Sequence, residues 1–349
     1  MSDFVPIRYG ILGAANIARL FTKGVAGSSL ARVAAVASRG AEKARTFAGE
    51  LGIPRAHDSY AALLADPDID AIYIPLPNDL HAEWAMRAAA AGKHVLCEKP
   101  LCMSAQQARE MFAAARKHGV HLVEAYPYMS QRQTLRLREL LRAGAIGRVQ
   151  MVTSSFGFGI VTPDGEPKVD PSNIRLIPER GGGALLDAGS YSMSLARLAV
   201  GERPTRVLAT QRSTRTGVNQ TVAAILEFPG GAIAQVSCSM STAFHRHAII
   251  IGDAGVIETS YSNHAPAGGG SLSLRIKRGV PNTVPFETEE LPAGDGFRAE
   301  AESFARMLRL GAGEWNGASE AESIDTAISL DAIAASASAA MWVSIPQGG

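Results

Sequence analysis

The sequence predicts an α/β protein of two domains: a doubly wound parallel sheet, then a second α/β domain with a large, open, mostly antiparallel sheet. Three features predict this fold. Short apolar runs alternate with helical patterns early in the chain, a small-residue turn follows the first run, and consecutive strands on short turns dominate the later part. With 349 residues, 46% of them hydrophobic, each domain can bury its own core.

The first domain is expected to span residues 1–126. Turn residues bound five apolar runs, and the segments between them show the Ala-rich periodicity of amphipathic helices. Strands that alternate with helices form βαβ units, which predicts a parallel sheet of the Rossmann type that binds a dinucleotide. The runs lie at 7–12, 31–38, 70–75, 93–98 and 119–124.

The second domain, expected at 127–349, is predicted to bind substrate and to mediate oligomerisation. Its strand-like runs follow one another on short, Gly-bearing turns, which is typical of antiparallel pairing. Helices are predicted at 131–143, after the start signal Asp295–Gly296, and from Ser323, and 265–270 (APAGGG) is expected to be a mobile turn. The strand-like runs lie at 148–156, 205–212, 220–228, 231–240, 246–251, 255–260 and 271–277.

Composition excludes several classes of function. The chain has 34 Lys and Arg against 33 Asp and Glu. It therefore has no broad positive electrostatic field that would attract nucleic acid or an anionic membrane surface. The start shows no signal peptide and no later run approaches the length of a membrane span, so we expect a cytoplasmic protein. Cys97, Cys102 and Cys238 lack metal-like spacing, which predicts reduced thiols and no structural metal.

A dinucleotide-binding turn follows the first predicted strand. Residues 10–18 (GILGAANIA) match the small-residue fingerprint, with alanine at its second and third small positions. Such a turn starts a helix whose N-terminus faces a pyrophosphate. Gly13, Ala15, Asn16 and Ile17 are therefore predicted to bind the cofactor; the alternative is a tight strand-to-helix turn with no ligand.

The end of the second strand indicates which dinucleotide binds. Enzymes that prefer NAD usually place a carboxylate here, whereas this chain has Ser38 and Arg39, with Lys43 a turn further on. A hydroxyl and a guanidinium can bind a 2'-phosphate that a carboxylate would repel. NADP(H) is therefore the predicted cofactor, with NAD(H) as the alternative, unless Arg39 only meets solvent at a helix start.

Two later segments resemble the glucose-fructose oxidoreductase and inositol dehydrogenase family, Gfo/Idh/MocA. The first runs from 75 to 100 and includes Glu98-Lys99-Pro100, its most specific part, and the second is 181–191 (GGGALLDAGSY). The resemblance covers nearly the whole chain. It implies a Rossmann domain, a C-terminal α/β domain with an open antiparallel sheet, a cis Lys99–Pro100 peptide, and oxidation of sugar-like alcohols or reduction of carbonyls.

The second segment has Tyr191 where many members have His, which resembles glucose-fructose oxidoreductase and the dimeric dihydrodiol dehydrogenases. Hydride transfer at a carbinol carbon needs a group that moves the hydroxyl proton, and a phenol does this poorly unless its anion is stabilised. Lys99 is expected to supply that positive charge and to polarise the substrate oxygen. A helix over 182–198 would place Asp187 on the same face, where it orients substrate hydroxyls or Lys99, or else caps the helix.

Further site residues are predicted from position and from the resemblance. For His81 the alternative is an N-terminal helix residue with a solvent partner. Arg175 and Tyr128, together with Asp187, are expected to bind substrate. The predicted cofactor contacts at the ends of the third and fourth long strands are Leu76, Pro77, Asn78, His81, Glu98 and Lys99.

One departure from the Tyr subgroup bears on the substrate. Members often carry Arg and His where this chain has Met129 and Gln131, so we expect a substrate that differs from the familiar aldoses. His245 and His247 share a strand face, but no carboxylate or cysteine accompanies them, so no metal site is expected.

These observations predict an NADP(H)-dependent oxidoreductase that acts on a sugar, a sugar derivative, or a related polyol or dicarbonyl. Two alternatives come from other classes: a non-catalytic nucleotide-binding regulator of the same fold, and a glycosidase that uses nicotinamide transiently. The joint presence of Lys99 and Tyr191 argues against the regulator. One sheet face without a helical cover further predicts a homodimer or homotetramer.

Overall fold

The computed structural model describes residues 5–264, 271–292 and 294–347, and the turn predicted at 265–270 lies outside them. The chain forms two compact units that interleave in sequence. The first unit takes residues up to Cys102, Gln106–Gln131 and Gly294–Glu320, and the second takes the rest. The segment Gly294–Glu320, which the sequence boundary assigned to the second domain, therefore packs with the first unit.

The first unit is built on a six-stranded parallel sheet in the order β3-β2-β1-β4-β5-β6. Its strands read as continuous apolar runs because helices cover both faces, and every residue of Ala71–Ile74 is buried. The order reverses between β1 and β4, which is where doubly wound sheets bind ligands. The strands are β1 (Ile7–Leu12), β2 (Ala31–Ala37), β3 (Arg55–His57), β4 (Ala71–Ile74), β5 (His94–Glu98) and β6 (Leu122–Ala125).

Helices flank this sheet. The last of them, α8, begins where Asp295 accepts hydrogen bonds from the backbone N–H groups of Phe297 and Arg298, as its start signal predicted. Phe297 and Phe304 of α8 are buried in the core of the unit with Tyr73. The helices are α1 (Asn16–Val25), α2 (Ala41–Leu51), α3 (Tyr60–Leu64), α4 (Asn78–Ala90), α5 (Ala105–Lys117) and α8 (Gly296–Leu310).

The second unit is built on a nine-stranded sheet in the order β14-β13-β12-β11-β7-β10-β9-β8-β15. Its neighbours are antiparallel except for β7 and β10, which run parallel, so the predicted mostly antiparallel sheet is confirmed. The strands are β7 (Val149–Gly159), β8 (Arg206–Ser213), β9 (Asn219–Glu227), β10 (Ile233–Ser239), β11 (Ser241–Gly252), β12 (Gly255–Thr259), β13 (Leu272–Arg278), β14 (Glu287–Leu291) and β15 (Val343–Ser344).

Helices α6 (Arg132–Arg142), α7 (Ser190–Val200) and α9 (Glu320–Ala339) belong to this part of the fold. Ser323 lies inside α9, so the start predicted there is wrong by one turn. Burial alternates along β9 and β10, because one face of the sheet packs inward and the other is exposed. None of the helices in the described part of the chain is long and apolar enough to cross a membrane.

Candidate active site

The small-residue turn joins β1 to α1. Gly13 has φ 105°, in the left-handed region that favours glycine, and a Cβ there would lie 3.0 Å from Leu76 Cδ2. Ala15 caps α1 without a side-chain hydrogen bond, and the first turn, which contains Asn16 and Ile17, has no acidic residue. The positive end of the helix dipole is therefore suited to an anion.

The end of β2 lies beside this turn. Ser38 is buried, whereas Arg39 and Lys43 are exposed. Burial raises the pKa of Tyr60, an effect that the charge of Arg39 partly offsets, and the Tyr60 hydroxyl lies 3.6 Å from the position of a Cβ on Gly13. The Arg39 guanidinium and the Tyr60 hydroxyl thus lie near the turn, and a guanidinium with a hydroxyl fits a phosphate.

His81 of α4 ties two predicted site segments together. It is 1% exposed, and its Nε2 lies 2.7 Å from the Leu76 oxygen and its Nδ1 2.9 Å from the Pro100 oxygen. Both partners only accept, while burial lowers the pKa of His81, so we assign a neutral ring that donates to one carbonyl at a time. Pro77 caps this helix and Asn78 is its first residue. Direct contact of these residues with a cofactor stays a prediction.

Lys99 follows β5 in a loop that buried carboxylates hold. Glu98 accepts hydrogen bonds from the Tyr73 hydroxyl at 2.6 Å and from the Lys99 backbone N–H at 3.2 Å. Glu124 accepts one from the Leu101 backbone N–H at 2.9 Å. The Lys99–Pro100 peptide is cis, which confirms what the resemblance implied. Glu98 is thus a support for the loop, and its predicted cofactor contact remains untested.

The segment that departs from the Tyr subgroup is buried. Tyr128 is 0% exposed and Met129 3% exposed, in a short 3₁₀ turn. Gln131 donates a hydrogen bond from Nε2 to the Gly294 oxygen at 2.8 Å, next to the start of α8. The position that often holds a histidine in this subgroup therefore anchors backbone of the first unit. Substrate binding by Tyr128 stays a prediction.

In the second unit, Asp187 and Tyr191 lie on a helical segment that changes pitch between them. A π-helical turn spans Leu185–Gly189, and α7 begins at Ser190, whereas the sequence predicted one regular helix over 182–198. Asp187 accepts hydrogen bonds from Arg175, with Nε at 2.5 Å, and its charge raises the pKa of Arg175. The structure therefore brings two predicted substrate-binding residues together as an ion pair.

Tyr191 is 5% exposed and contacts three residues that the sequence did not single out. Its hydroxyl oxygen accepts a hydrogen bond from Asn263 Nδ2 at 3.1 Å, and the Arg246 guanidinium lies 4.2 Å from its ring centroid. The Phe156 ring meets it edge-on at 5.5 Å. No local pattern could reveal these contacts, because Asn263 is 72 residues away along the chain.

The paired histidines lie elsewhere. His245 Nε2 is 2.9 Å from Ser155 Oγ, and the rings of His245 and His247 are 5.9 Å apart. In residues 5–264, 271–292 and 294–347, no three His, Cys, Asp or Glu side chains cluster as metal ligands would. Cys97, Cys102 and Cys238 are buried.

Two models of known protein families match this chain, one in each part of the sequence. Residues 7–126 match the oxidoreductase family with an NAD-binding Rossmann fold (GFO_IDH_MocA), and residues 134–258 match the GFO/IDH/MocA C-terminal domain.

Individual relatives align over most of the chain. The chain is 39% identical to D-xylose 1-dehydrogenase (NADP(+)) 2 of Haloferax volcanii, over 94% of this chain and 97% of the relative. It is 36% identical to trans-1,2-dihydrobenzene-1,2-diol dehydrogenase of Xenopus laevis, over 80% and 82%. A 3-ketoreductase from Actinomadura kijaniata, crystallised with NADP and TDP-benzene, is similar in structure, with TM-score 0.82, 32% identity and coverage of 95% and 98%.

Proposed function

The chain belongs to the Gfo/Idh/MocA family of oxidoreductases, and from this we propose that it transfers hydride between NADP(H) and a sugar or sugar derivative. It is an enzyme that acts on a sugar hydroxyl or keto group. The observation that carries this conclusion is the 39% identity to an NADP-linked xylose dehydrogenase across 97% of that relative's length. The similar proteins are dehydrogenases and reductases, which favours this function over a regulator or a glycosidase.

The first unit fits the dinucleotide. Gly13 keeps the turn open, the start of α1 favours the pyrophosphate, and Arg39 with Ser38 suits the 2'-phosphate. When bound, NADP(H) supplies or accepts the hydride. The remaining predicted contacts, among them Lys43, Leu76 and Asn78, would complete the binding site.

The protein's own task is to move the hydroxyl proton. We assign Tyr191 as the acid and base, because its oxygen already accepts a hydrogen bond from Asn263 and its proton can therefore be directed at a substrate oxygen. Lys99 is assigned to polarise that oxygen and to favour the phenolate. Arg175 and Asp187, held together as a pair, are assigned to substrate hydroxyls.

A substrate screen tests this function. Purified protein would be mixed with NADP⁺ or NAD⁺ and one candidate substrate at a time: D-xylose, D-glucose, L-arabinose, myo-inositol or a trans-dihydrodiol. Formation of NADPH or NADH would be followed by absorbance. The reverse reaction would be assayed with ketosugars and dicarbonyls. We expect NADP-linked turnover with at least one sugar. Absence of turnover with every sugar and carbonyl, from protein that binds NADP, would contradict the proposal.

We also propose that the protein assembles through one face of its second sheet. The exposed face of the nine-stranded sheet, called the open face here, carries Met151, Ile225 and Ile233, each about two-fifths exposed. Met151 and Ile233 are paired in register on β7 and β10, so the apolar side chains are neighbours. An apolar patch on an uncovered sheet supports a homodimer or homotetramer formed through this face.

A further inference from the structure

Arg246 lies on the side of β11 that faces Tyr191. It is paired in register with Phe156 of β7, whereas His245 and His247 point to the other face of the strand, where His245 meets Ser155. The Arg246 guanidinium is 4.2 Å from the Tyr191 ring centroid, 4.6 Å from that of Tyr261 and 5.1 Å from that of Phe156. A cation at these distances from three rings is within the range of cation–π attraction.

Asn263 connects this cation to the reacting oxygen. Arg246 Nη1 donates a hydrogen bond to Asn263 Oδ1 at 3.2 Å, and Asn263 Nδ2 donates one to the Tyr191 hydroxyl oxygen at 3.1 Å. A guanidinium only donates, so the amide oxygen must face Arg246. The amide NH₂ group is thereby turned toward the phenol, where a donor favours the anion over the neutral form.

Tyr261 fixes the backbone that carries Asn263. Its φ is 34°, in the left-handed region that bulky residues rarely adopt, and its side chain is 0% exposed. The Tyr261 hydroxyl donates to the Ser155 backbone oxygen at 3.1 Å and accepts from Ser154 Oγ at 3.2 Å. Such a conformation persists only where the surroundings over-determine it, so the placement of Asn263 is built into the fold.

We propose that Asn263 and Arg246 stabilise the phenolate of Tyr191, Asn263 as a catalytic residue at the reacting oxygen and Arg246 as a positioning residue that orients Asn263. This rests on the proposed function, in which Tyr191 moves the substrate proton. In the oxidation, the Tyr191 phenolate would accept the substrate hydroxyl proton and become the neutral phenol, and bound NADP⁺ would serve as the hydride acceptor, so that the products are a carbonyl and NADPH. The reduction runs through the same groups in reverse.

Three other titratable groups in the described part of this unit, Arg175, Tyr261 and Cys238, do not replace Arg246. Arg175 is paired with Asp187, whose negative charge offsets its own. Burial raises the pKa of Tyr261, and it raises that of Cys238, which lies beneath Gly189, to about 12. The phenol and the thiol are therefore neutral at physiological pH.

The test measures the ionisation of Tyr191 directly. The near-ultraviolet absorbance of tyrosinate would be titrated in the wild type and in Tyr191→Phe, and the difference between the two curves assigns one transition to Tyr191. The same difference would be measured between Arg246→Gln and the double variant Arg246→Gln, Tyr191→Phe. We expect Arg246→Gln to move this transition up by about one pH unit, a tenfold change in the ionisation equilibrium. Arg246→Lys should restore part of the shift, and Asn263→Asp, whose carboxylate cannot donate, should also move it upward.

Activity gives a second readout. Because oxidation uses the phenolate, the acid limb of kcat/KM should move to higher pH by the same amount in Arg246→Gln, with the Kd for NADPH unchanged. The matched control is Arg275→Gln, which removes an arginine of β13 that lies over the Phe286 ring and should leave both the Tyr191 transition and the acid limb in place. An unchanged Tyr191 transition in folded Arg246→Gln overturns the proposal. The titration needs no turnover, so it fails independently of the proposed function.

Discussion

Glu300 shows how burial acts on a single side chain. It lies on α8 at 0% exposure, and neither carboxyl oxygen has a hydrogen-bond partner in the part of the chain that the structure describes. Burial raises its pKa well above the usual value, and the nearby charge of Glu98 adds to the effect. Glu300 is therefore protonated over a range of pH in which an ordinary glutamate is ionised.

Stability should consequently depend on pH through this residue. Because the pKa is raised in the folded state, the contribution of Glu300 is fully present below about pH 4.5 and is lost as pH rises toward the folded value, at about 1.4 kcal/mol per unit. We expect Glu300→Gln to gain stability relative to the wild type between about pH 5 and pH 8, measured by urea unfolding. Glu302→Gln on the same helix is the control, and an equal trend in both variants would contradict the assignment.

We propose that Arg39 determines the preference for NADP(H) over NAD(H). A charge-assisted hydrogen bond to phosphate contributes about 1.5–3 kcal/mol, and the exposure of Arg39 favours the lower end. Arg39→Ala should therefore weaken NADPH binding by roughly tenfold and leave NADH binding nearly unchanged. Fluorescence titration with both cofactors measures this, and Arg32→Ala, an exposed arginine on β2, is the control. Equal losses of affinity for NADPH and NADH in Arg39→Ala would contradict a role for Arg39 in binding the 2'-phosphate.

At the scale of elements, the contact between α1 and α8 depends on one glycine. A Cβ on Gly24 would lie 2.6 Å from Asp295 Oδ1 and 3.0 Å from Phe297 Cβ. Asp295 is the residue that caps α8, so crowding there disturbs both the packing and the cap. The same contact joins the segment Gly294–Glu320 to α1 within the first unit.

Gly24→Ala should lower the free energy of unfolding by about 1–3 kcal/mol, because the added methyl group displaces the cap and overpacks the contact. Gly49→Ala offers the opposite control. Gly49 lies inside α2 with open space around its Cβ position, so this variant should gain about 0.5–1 kcal/mol from helix propensity. Urea unfolding distinguishes them, and a Gly24→Ala protein as stable as the wild type would refute the close contact.

Elements with strong patterns could be predicted from the sequence, and weakly patterned ones could not. The five long strands of the first unit were readable because they are buried on both faces, whereas β3 has three half-buried residues and gives no apolar run. The edge strand β14 (ETEEL) is mostly charged, and its pairing depends on β13. Lys99 and Tyr191 lie in contiguous motifs, but Arg246 and Asn263 meet Tyr191 only through the fold of the sheet.

At the scale of the molecule, the two units are not two halves of the sequence. The change in sequence pattern near residue 127 lies close to the point where the chain leaves the first unit, but residues 294–320 return to that unit. Sequence periodicity cannot show which sheet a late helix covers. The assignment of cofactor binding to 1–126 and of substrate binding to 127–349 stays a prediction. The other feature at this scale is the open face, whose apolar side chains are either exposed to solvent or covered by another subunit.

If the open face joins subunits, one charge on it should separate them. Ile233→Glu, or the double variant Met151→Glu and Ile233→Glu, is expected to shift the mass measured by light scattering toward monomer at micromolar concentration, because a carboxylate would be buried unpaired. Val280→Glu replaces another exposed apolar residue, outside the strands of the open face, and should leave the mass unchanged. A wild type that is monomeric throughout would refute the proposed assembly.

We propose that Lys99 and Tyr191 act in one proton transfer, and a double-mutant cycle on turnover tests this most directly. Lys99→Met and Tyr191→Phe should each lower kcat by about 100-fold while the Kd for NADPH stays nearly constant. The double variant should be little slower than the slower single variant, because the larger effect assigned to Lys99, which is to favour the phenolate, is lost once the hydroxyl is gone. Turnover of Tyr191→Phe within about threefold of the wild type would contradict the account, since another group would then move the proton.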